Sequence, residues 1–346
     1  MRDRLTFSVT EQEQGKQADW IMKNCLGMSR REISRAKFTE NGVCVNGQRS
    51  RVTARLQEGD FLEVLLEAER DACPAAGKQE KSETEGMPPL EILYEDRDVL
   101  IINKPAGILT HPVGCHGDGT ASDQVRQYLQ RTGGNPVARS VGRLDKETSG
   151  LLLFARNCMA AARLQEQRKQ GKLRKIYLAV VEGVPEPPAG VIHLPLGKAP
   201  SGREAARIVV SSSGQEAITE YRVLGRAVWK NKEMIASRAD QKDGAASLVA
   251  CMLQTGRTHQ IRVHMAHLGH ALVGDCIYGR GSAAKGERAL LHAWKVSFEQ
   301  PFTGKPIQVC APPPDDFPPL PSAFREEELF CRKEGPPVTE KGMENH

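Results

Sequence analysis

The sequence predicts an α+β protein in two parts, a small N-terminal α/β module and a larger domain built on a mixed, largely antiparallel sheet. Two observations carry this expectation. Past residue 90, strand-like segments outnumber helical ones without regular βα alternation, the pattern of a sheet whose neighbours run mostly antiparallel. Before it, residues 67–88, "EAERDACPAAGKQEKSETEGMP", are charged, Ala/Gly-rich and nearly free of large apolar side chains. That composition suits a disordered linker between two folded units.

The module is expected over 17–66. "ADWIMKNCL" carries Trp20, Ile21 and Cys25 at helical spacing, and "SRREISRAKF" opens a second helix with Ser29 as its N-cap. "GVCVNGQ" alternates Val43 and Val45 before an Asn-Gly turn, and "EGDFLEVLL" supplies a last strand. Arg30, Arg31, Arg35 and Lys37 stand against one acid, Glu32, so this helix offers a basic face that is either merely solvated or aimed at phosphate. About fifty residues make a marginal core, suited to a binding module rather than an enzyme.

The main domain is expected over 89–312. "LEILYEDRDVLIINKPAG" reads as two short strands around an acidic turn; "YLAVVEG", "ARIVVSS", "AITEYRVLG", "ASLVACMLQTG" and "WKVSFEQP" read as further strands. Helices are expected in "ASDQVRQYLQRT", "NCMAAARLQEQRKQ" and "QIRVHMAHLG". Residues 231–245 read as a long surface loop, and the Pro-rich, charged 313–346 as a disordered tail.

Lys and Arg number 48 against 43 acids, so local clusters of charge say more than the total. The nine cysteines are scattered with no C-x-x-C pair, which points to a reducing, cytoplasmic setting rather than a disulfide framework. No apolar leader or run of membrane-spanning length is seen, and no membrane partner is expected.

Between 163 and 175, Arg163, Arg168, Lys169, Lys172, Arg174 and Lys175 face the single acid Glu166, directly before Tyr177. Neutralising phosphates would relieve that crowding of cations, and an aromatic beside it could stack a base; a solvated helix end and a buried tyrosine are the plainer alternatives. "LQTGRTHQIRVHMAHLGH" gathers Arg257, His259, Arg262, His264, His267 and His270. Histidines three apart can bind zinc, but neither an HExxH glutamate nor a cysteine partner accompanies them, and no metal is expected. A serine hydrolase would need a G-x-S-x-G elbow, which "TSG" does not provide. "GCHGDGTASD" lacks a following GK[ST] and reads as a loop and helix start. Within "SVGRLDKETSGLLLFARN", Asp145 is a carboxylate in a turn, either a solvated turn residue or a reagent.

Four segments taken together decide between these readings: "NKPAGILTHP", "GRLDKETSGLLLFARN", "KIYLAVVEG" and "LQTGRTHQIRVHMAHLGHALVGDCIYG". In order and spacing they resemble the RluA-type pseudouridine synthases over roughly residues 90–312. The N-terminal unit resembles the RNA-binding module of ribosomal small-subunit protein four. The resemblance implies isomerisation of uridine to pseudouridine in RNA, with Asp145 as the catalytic aspartate, Arg262 as the basic residue paired with it, and Tyr177 lining the base pocket. Arg143 matches a residue that fills the gap left by a flipped-out uridine. Many members carry His where this chain has Gly142, so a helper role of that histidine is absent here or supplied elsewhere.

Base extrusion costs about a few kcal/mol, which stacking on Tyr177 and insertion of Arg143 would offset. Arg262 would hold Asp145 anionic despite burial, whether the carboxylate attacks the sugar or removes a proton from it. The reaction is an internal rearrangement without redox change, so no cofactor is expected. Leu144, Leu151, Leu152, Leu153 and Ile261 are expected to form the core that positions the pair. Arg30, Arg31, Arg35, Lys37, Arg143, Arg168, Lys169, Lys172, Arg174, Lys175, Arg257 and His259 are the expected RNA contacts. The expected partner is RNA, large-subunit ribosomal RNA first and transfer RNA second, bound by a monomer. An RNA-binding protein that kept the fold and lost catalysis is the alternative.

Overall fold

The computed structural model describes residues 4–26, 28, 30–65, 87–112, 119–133, 139–199, 207–230, 233–236, 245–279, 288–321 and 337–338. It divides into two compact units, one drawn from Met1–Lys81 with Asn157–Arg163, the other from Ser82–Arg156 with Leu164–His346. The expected linker lies almost wholly outside the described residues, as do Ser29 and most of the expected tail.

The first unit is a four-stranded antiparallel sheet in the order β1 (Arg4–Ser8), β4 (Phe61–Leu65), β2 (Val43–Val45), β3 (Gln48–Arg49), with helices α1 (Ala18–Asn24) and α2 (Arg30–Phe38). Ile21 and Met22 of α1 and Leu62 and Val64 of β4 are fully buried and form its core. The expected start at residue 17 is corrected by β1, which pairs along its whole length with β4. "RLTFS" is too short and too polar at its edges to announce a strand on its own.

The second unit is one large sheet, ordered β10 (Ala189–His193), β13 (Ile218–Lys230), β15 (Ala245–Leu253), β9 (Arg174–Glu182), β16 (Leu291–Glu299), β8 (Ser149–Ala155), β6 (Val99–Lys104), β5 (Ile92–Glu95). Off this path, β7 (Arg139–Ser140) pairs with β8 and β17 (Pro306–Cys310) with β16, while β11 (Leu196–Lys198) and β12 (Ile208–Val210) pair with each other. The expected helices are found as α3 (Ala121–Arg131), α4 (Cys158–Lys169) and α5 (Gln260–His267). Most neighbouring strands are antiparallel; β8 and β16 run parallel, as do β10 and the short β18 (Pro337–Val338). This mixed, largely antiparallel sheet is the architecture expected. All seven residues of β8, SGLLLFA, are buried, as a strand covered on both faces requires. Leu178 and Val180 of β9 alternate in register with Leu248 and Ala250 of β15 to build a core with Trp294 and Phe317. Gly150 sits at φ +102, and a Cβ there would strike the Ala293 backbone, so only glycine permits this close β8–β16 approach.

Two expectations are corrected here. Within 231–245, Glu233–Ala236 pairs with β13 as a further strand, β14, and β15 already begins at Ala245. Within the expected tail, residues 313–321 pack on the domain: Phe317 is buried, and Asp316 receives a bidentate pair from Arg288 at 2.7 and 2.9 Å. Packing by one aromatic and one ion pair outweighs a Pro-rich composition.

Two histidines are walled into this unit. His264 bonds Thr219 Oγ1 and the Leu194 carbonyl oxygen, and His292 bonds Ser149 Oγ and the Ala311 carbonyl oxygen. Burial pushes each down to about 4 from 6.5. As pH falls, the unfolded chain takes up these protons first, so folding stability is lost between pH 6.5 and about 4. Urea midpoints measured across that window are expected to fall with pH, and the slope is expected to flatten in a His264→Gln/His292→Gln variant.

Candidate active site

Asp145 is placed by backbone pinned on both sides. Thr110, itself buried, donates its hydroxyl to the Leu144 carbonyl at 2.8 Å and accepts the Leu144 N–H at 3.1 Å. On the other side the Lys146 carbonyl accepts from Lys104 Nζ at 3.2 Å and from the Gly107 N–H at 2.9 Å. Lys104 is fully buried and donates twice more, to the carbonyls of Pro105 and Ile108, each at 2.8 Å. A tight turn, Thr148 N–H to Asp145 C=O at 3.1 Å, then leads into β8. The NKPAG loop and the Asp145 turn are thus one braced structure, with the apolar strand behind it.

A second element brings charge to the carboxylate. Helix α5 packs Val263 and Ala266 against Leu196, Ala217 and Tyr278. Its Arg262 is 5% exposed and makes a bidentate pair with Asp275, Nε and Nη2 each at 2.7 Å. Nη1, the nitrogen not engaged by Asp275, lies 3.8 Å from Asp145 Oδ2. Arg262 thus has two carboxylate partners: Asp275, which it hydrogen-bonds, and Asp145, with which it forms the longer ion pair. Burial by itself would raise the Asp275 carboxyl, but the hydrogen bonds and charge of Arg262 and two backbone N–H groups hold it below its ordinary value.

His259 precedes α5 in a left-handed conformation, φ 56° and ψ 19°. Its Nε2 is 3.9 Å from Asp145 Oδ2 and its Nδ1 2.9 Å from the Tyr278 hydroxyl. Gln260 braces the preceding loop by accepting from the Thr255 hydroxyl and the Arg257 N–H, both at 2.9 Å, and donating to Ile218 O and Thr219 Oγ1. Tyr177, on β9 between Cys251 of β15 and Ala293 of β16, is 6% exposed. Burial, then the Asp145 charge, pushes its phenol well above the usual range.

Asp145, Tyr177, His259 and Gln260 open on a cleft of about 860 Å³. Arg143, Arg168, Lys169, Arg174, Lys175, Arg257 and His259 line it, together with Asp145 and Tyr177. Lys175 donates to the Val141 carbonyl at 3.0 Å, and burial lowers its ammonium to about 8. Lys172 is absent from the lining and pairs with Glu299 at 3.1 Å. Arg30, Arg31, Arg35 and Lys37 belong to α2 of the first unit; Arg30 and Lys37 are exposed, and Lys37 Nζ lies 5.2 Å from the Phe38 ring centroid. Gly142 holds φ +86, a conformation a histidine would adopt only under strain, and Lys175 Nζ and Arg168 Nη1 lie within 4 Å of where a Cβ would stand. Ile261, Leu144 and Leu151–Leu153 are buried as expected.

Sequence reasoning passed over Lys104, Asp275 and Tyr278, and also His111, a further lining residue whose ring bonds Ser140 Oγ at 2.6 Å and Ser122 Oγ at 2.7 Å. All four fall within the segments that carry the family resemblance, but none announces its role by type or spacing. Among the described residues no cluster of His, Cys, Asp and Glu could hold a metal, and no helix is long and apolar enough to cross a membrane. The arrangement sets the Asp145 carboxylate in a cleft walled largely by cations and backed by a buried aromatic. It suits an anionic polymer that presents a planar group to the carboxylate.

Comparison with known proteins agrees. Residues 98–267 match the RNA pseudouridylate synthase family. The chain is 40% identical over 315 residues to the uncharacterized RNA pseudouridine synthase YhcT of Bacillus subtilis, covering 90% of this chain and 95% of that one. It is 34% identical over 323 residues to the ribosomal large subunit pseudouridine synthase D of Xylella fastidiosa, covering 88% of each. The human RNA pseudouridylate synthase domain containing 1 superposes with a TM-score of 0.52 at 27% identity, over 68% of this chain and 86% of that one. With near full-length relatives of this kind, the chain belongs to the RluA-type RNA pseudouridine synthases and is an RNA-modifying isomerase.

Proposed function

We propose that the enzyme isomerises uridines of large-subunit ribosomal RNA, and that Asp145 is the carboxylate that acts on the sugar. The observation that carries the assignment is the placement of Asp145: braced through Leu144 and Lys146, one-sixth exposed at the cleft floor, and faced by the Arg262 guanidinium at 3.8 Å. A carboxylate can serve as the nucleophile or base that attack or proton abstraction requires, and the guanidinium stands within ion-pair reach of it. The ribosomal choice is supported by relatives bearing that name at 34% identity.

The uridine leaves its stack and enters the cleft, with Tyr177 against the base. Arg143, exposed at the rim two residues before the carboxylate, occupies the vacated space. Arg168, Lys169, Arg174, Lys175 and Arg257 hold the flanking phosphates. Mapping pseudouridine across the RNA of cells lacking the protein, then restoring wild type or Asp145→Asn, tests this directly. Large-subunit sites that vanish and return only with wild type support it; a change confined to transfer RNA overturns the choice of substrate, and no change at all supports a binding protein.

The first unit serves as an additional RNA-binding module, with Arg30, Arg31, Arg35 and Lys37 on phosphate. Replacing the four by Ala is expected to lower the slope of log affinity against log salt by about 0.7–0.9 for each phosphate no longer neutralised. Filter binding from low to moderate salt reads this out; an unchanged slope removes α2 from the interface.

A further inference from the structure

We propose that His259 is the group that takes the proton from C5 of the uracil and returns one to N1, with Tyr278 as its positioning partner. The inference rests on the reading that Asp145 addresses the sugar at C1′. The isomerisation breaks N1–C1′ and forms C5–C1′, whichever role Asp145 plays. The product of that step carries both the sugar and a hydrogen on C5. Loss of this proton returns the C–H electron pair to the ring, and N1 gains a proton, so one base that accepts and then gives back a proton balances the reaction. C5 is by then bonded to C1′, so the base must stand beside the carboxylate.

His259 Nε2 stands 3.9 Å from Asp145 Oδ2, and its side chain is 20% exposed to the cleft. In the tautomer that leaves the Nε2 lone pair available, Nδ1 carries the hydrogen and donates it to the Tyr278 hydroxyl oxygen at 2.9 Å, and the two rings meet edge to face at 5.6 Å. Tyr278 is itself fixed: the Ile208 N–H donates to its hydroxyl at 3.2 Å, and the Arg207 and Arg262 guanidinium carbons lie 5.2 Å from its ring centroid. The left-handed backbone of His259 is uncommon for a residue with a Cβ, and such outliers persist where surrounding structure enforces them, often at functional sites.

The charged groups facing the imidazole are Asp145, Arg262, Asp275 and Arg143. Burial lowers its affinity for a proton, Asp145 works against this, and Arg262 reinforces it, so His259 is a neutral base near pH 7. Neighbouring groups are less suited. Tyr177 is a phenol held protonated, Arg262 is a cation bound to Asp275, Lys175 is an ammonium that donates to the Val141 carbonyl, and both nitrogens of His111 are hydrogen-bonded to serines.

The test uses the full chain and total RNA from cells lacking it, labelled with hydrogen, deuterium or tritium at C5 of uracil. His259→Gln is expected to lower single-turnover pseudouridine formation by about 10²–10⁴-fold, with RNA affinity retained. Tritium release is expected to slow in step, and a primary C5 isotope effect larger than that of the wild type is expected to appear. Tyr278→Phe keeps the imidazole and is expected to show a smaller loss with the same isotope signature; it carries the test if His259→Gln fails to bind RNA. Wild-type turnover in His259→Gln, or slow turnover without the isotope effect in either variant, overturns the proposal. Turnover by Asp145→Asn would instead overturn the reading on which it rests.

Discussion

Asp145→Asn is expected to abolish pseudouridine formation, by at least about 10⁴-fold, the scale on which losing a nucleophile or its base lowers other enzymes. RNA affinity is expected to stay within a few-fold of wild type. The reasoning is local. The amide keeps the size and shape of the side chain, and the braces on either side of position 145 are made by the Leu144 and Lys146 backbones, which do not change. The cations that line the cleft also stay, so phosphate binding persists. What disappears is the negative charge and the lone pair that attack or abstraction needs. Single-turnover conversion with enzyme in excess separates this from weaker binding. A variant that converts RNA near the wild-type rate would remove Asp145 from the chemistry, and one that fails to bind would show the charge to be structural.

How much of this was readable before the structure varied with physical scale. Strands of β9, β15 and β16 announced themselves because alternating or continuous apolar runs reflect burial of whole faces. The Asp145, Tyr177 and Arg262 set was readable only as a pattern of four distant segments, since no spacing along the chain says that β9, the β7–β8 turn and α5 meet. Asp275 was hidden by its setting: an aspartate after glycine reads as a turn residue. Its real partner lies on a helix 13 residues earlier. Lys104 was hidden for the opposite reason, because a lysine at a strand end reads as solvated. Three carbonyls converging on one ammonium are a property of the loop's path, not of its composition. Residues 313–321 show the same limit, since the Arg288–Asp316 pair and the packing of Phe317 and Leu320 on the core are contacts with distant strands that composition does not reveal.

The Arg262–Asp275 pair separates stability from catalysis. Arg262→Ala is expected to cost about 3–5 kcal/mol of folding stability, the penalty for leaving a buried charge without its partner. Asp275 would keep only the N–H groups of Ile277 and Tyr278, at 2.9 and 3.1 Å, both on Oδ1. Activity is expected to fall as well, because Nη1 no longer faces Asp145. The double variant Arg262→Met/Asp275→Leu removes both charges, and apolar replacements of similar volume are often neutral or stabilising in such a site. It is expected to recover most of the stability and none of the activity. Recovery of turnover in the double variant would show the guanidinium to be scaffolding alone. The pair also sets an acid limit. The Asp275 carboxyl is held below 3.8 when folded, so the unfolded chain takes the proton first as pH falls. Its contribution is complete above about pH 4 and is lost as pH falls through the lower folded value. The wild type is expected to lose stability faster than the double variant in that range, as chemical denaturation at a series of acid pH values would read.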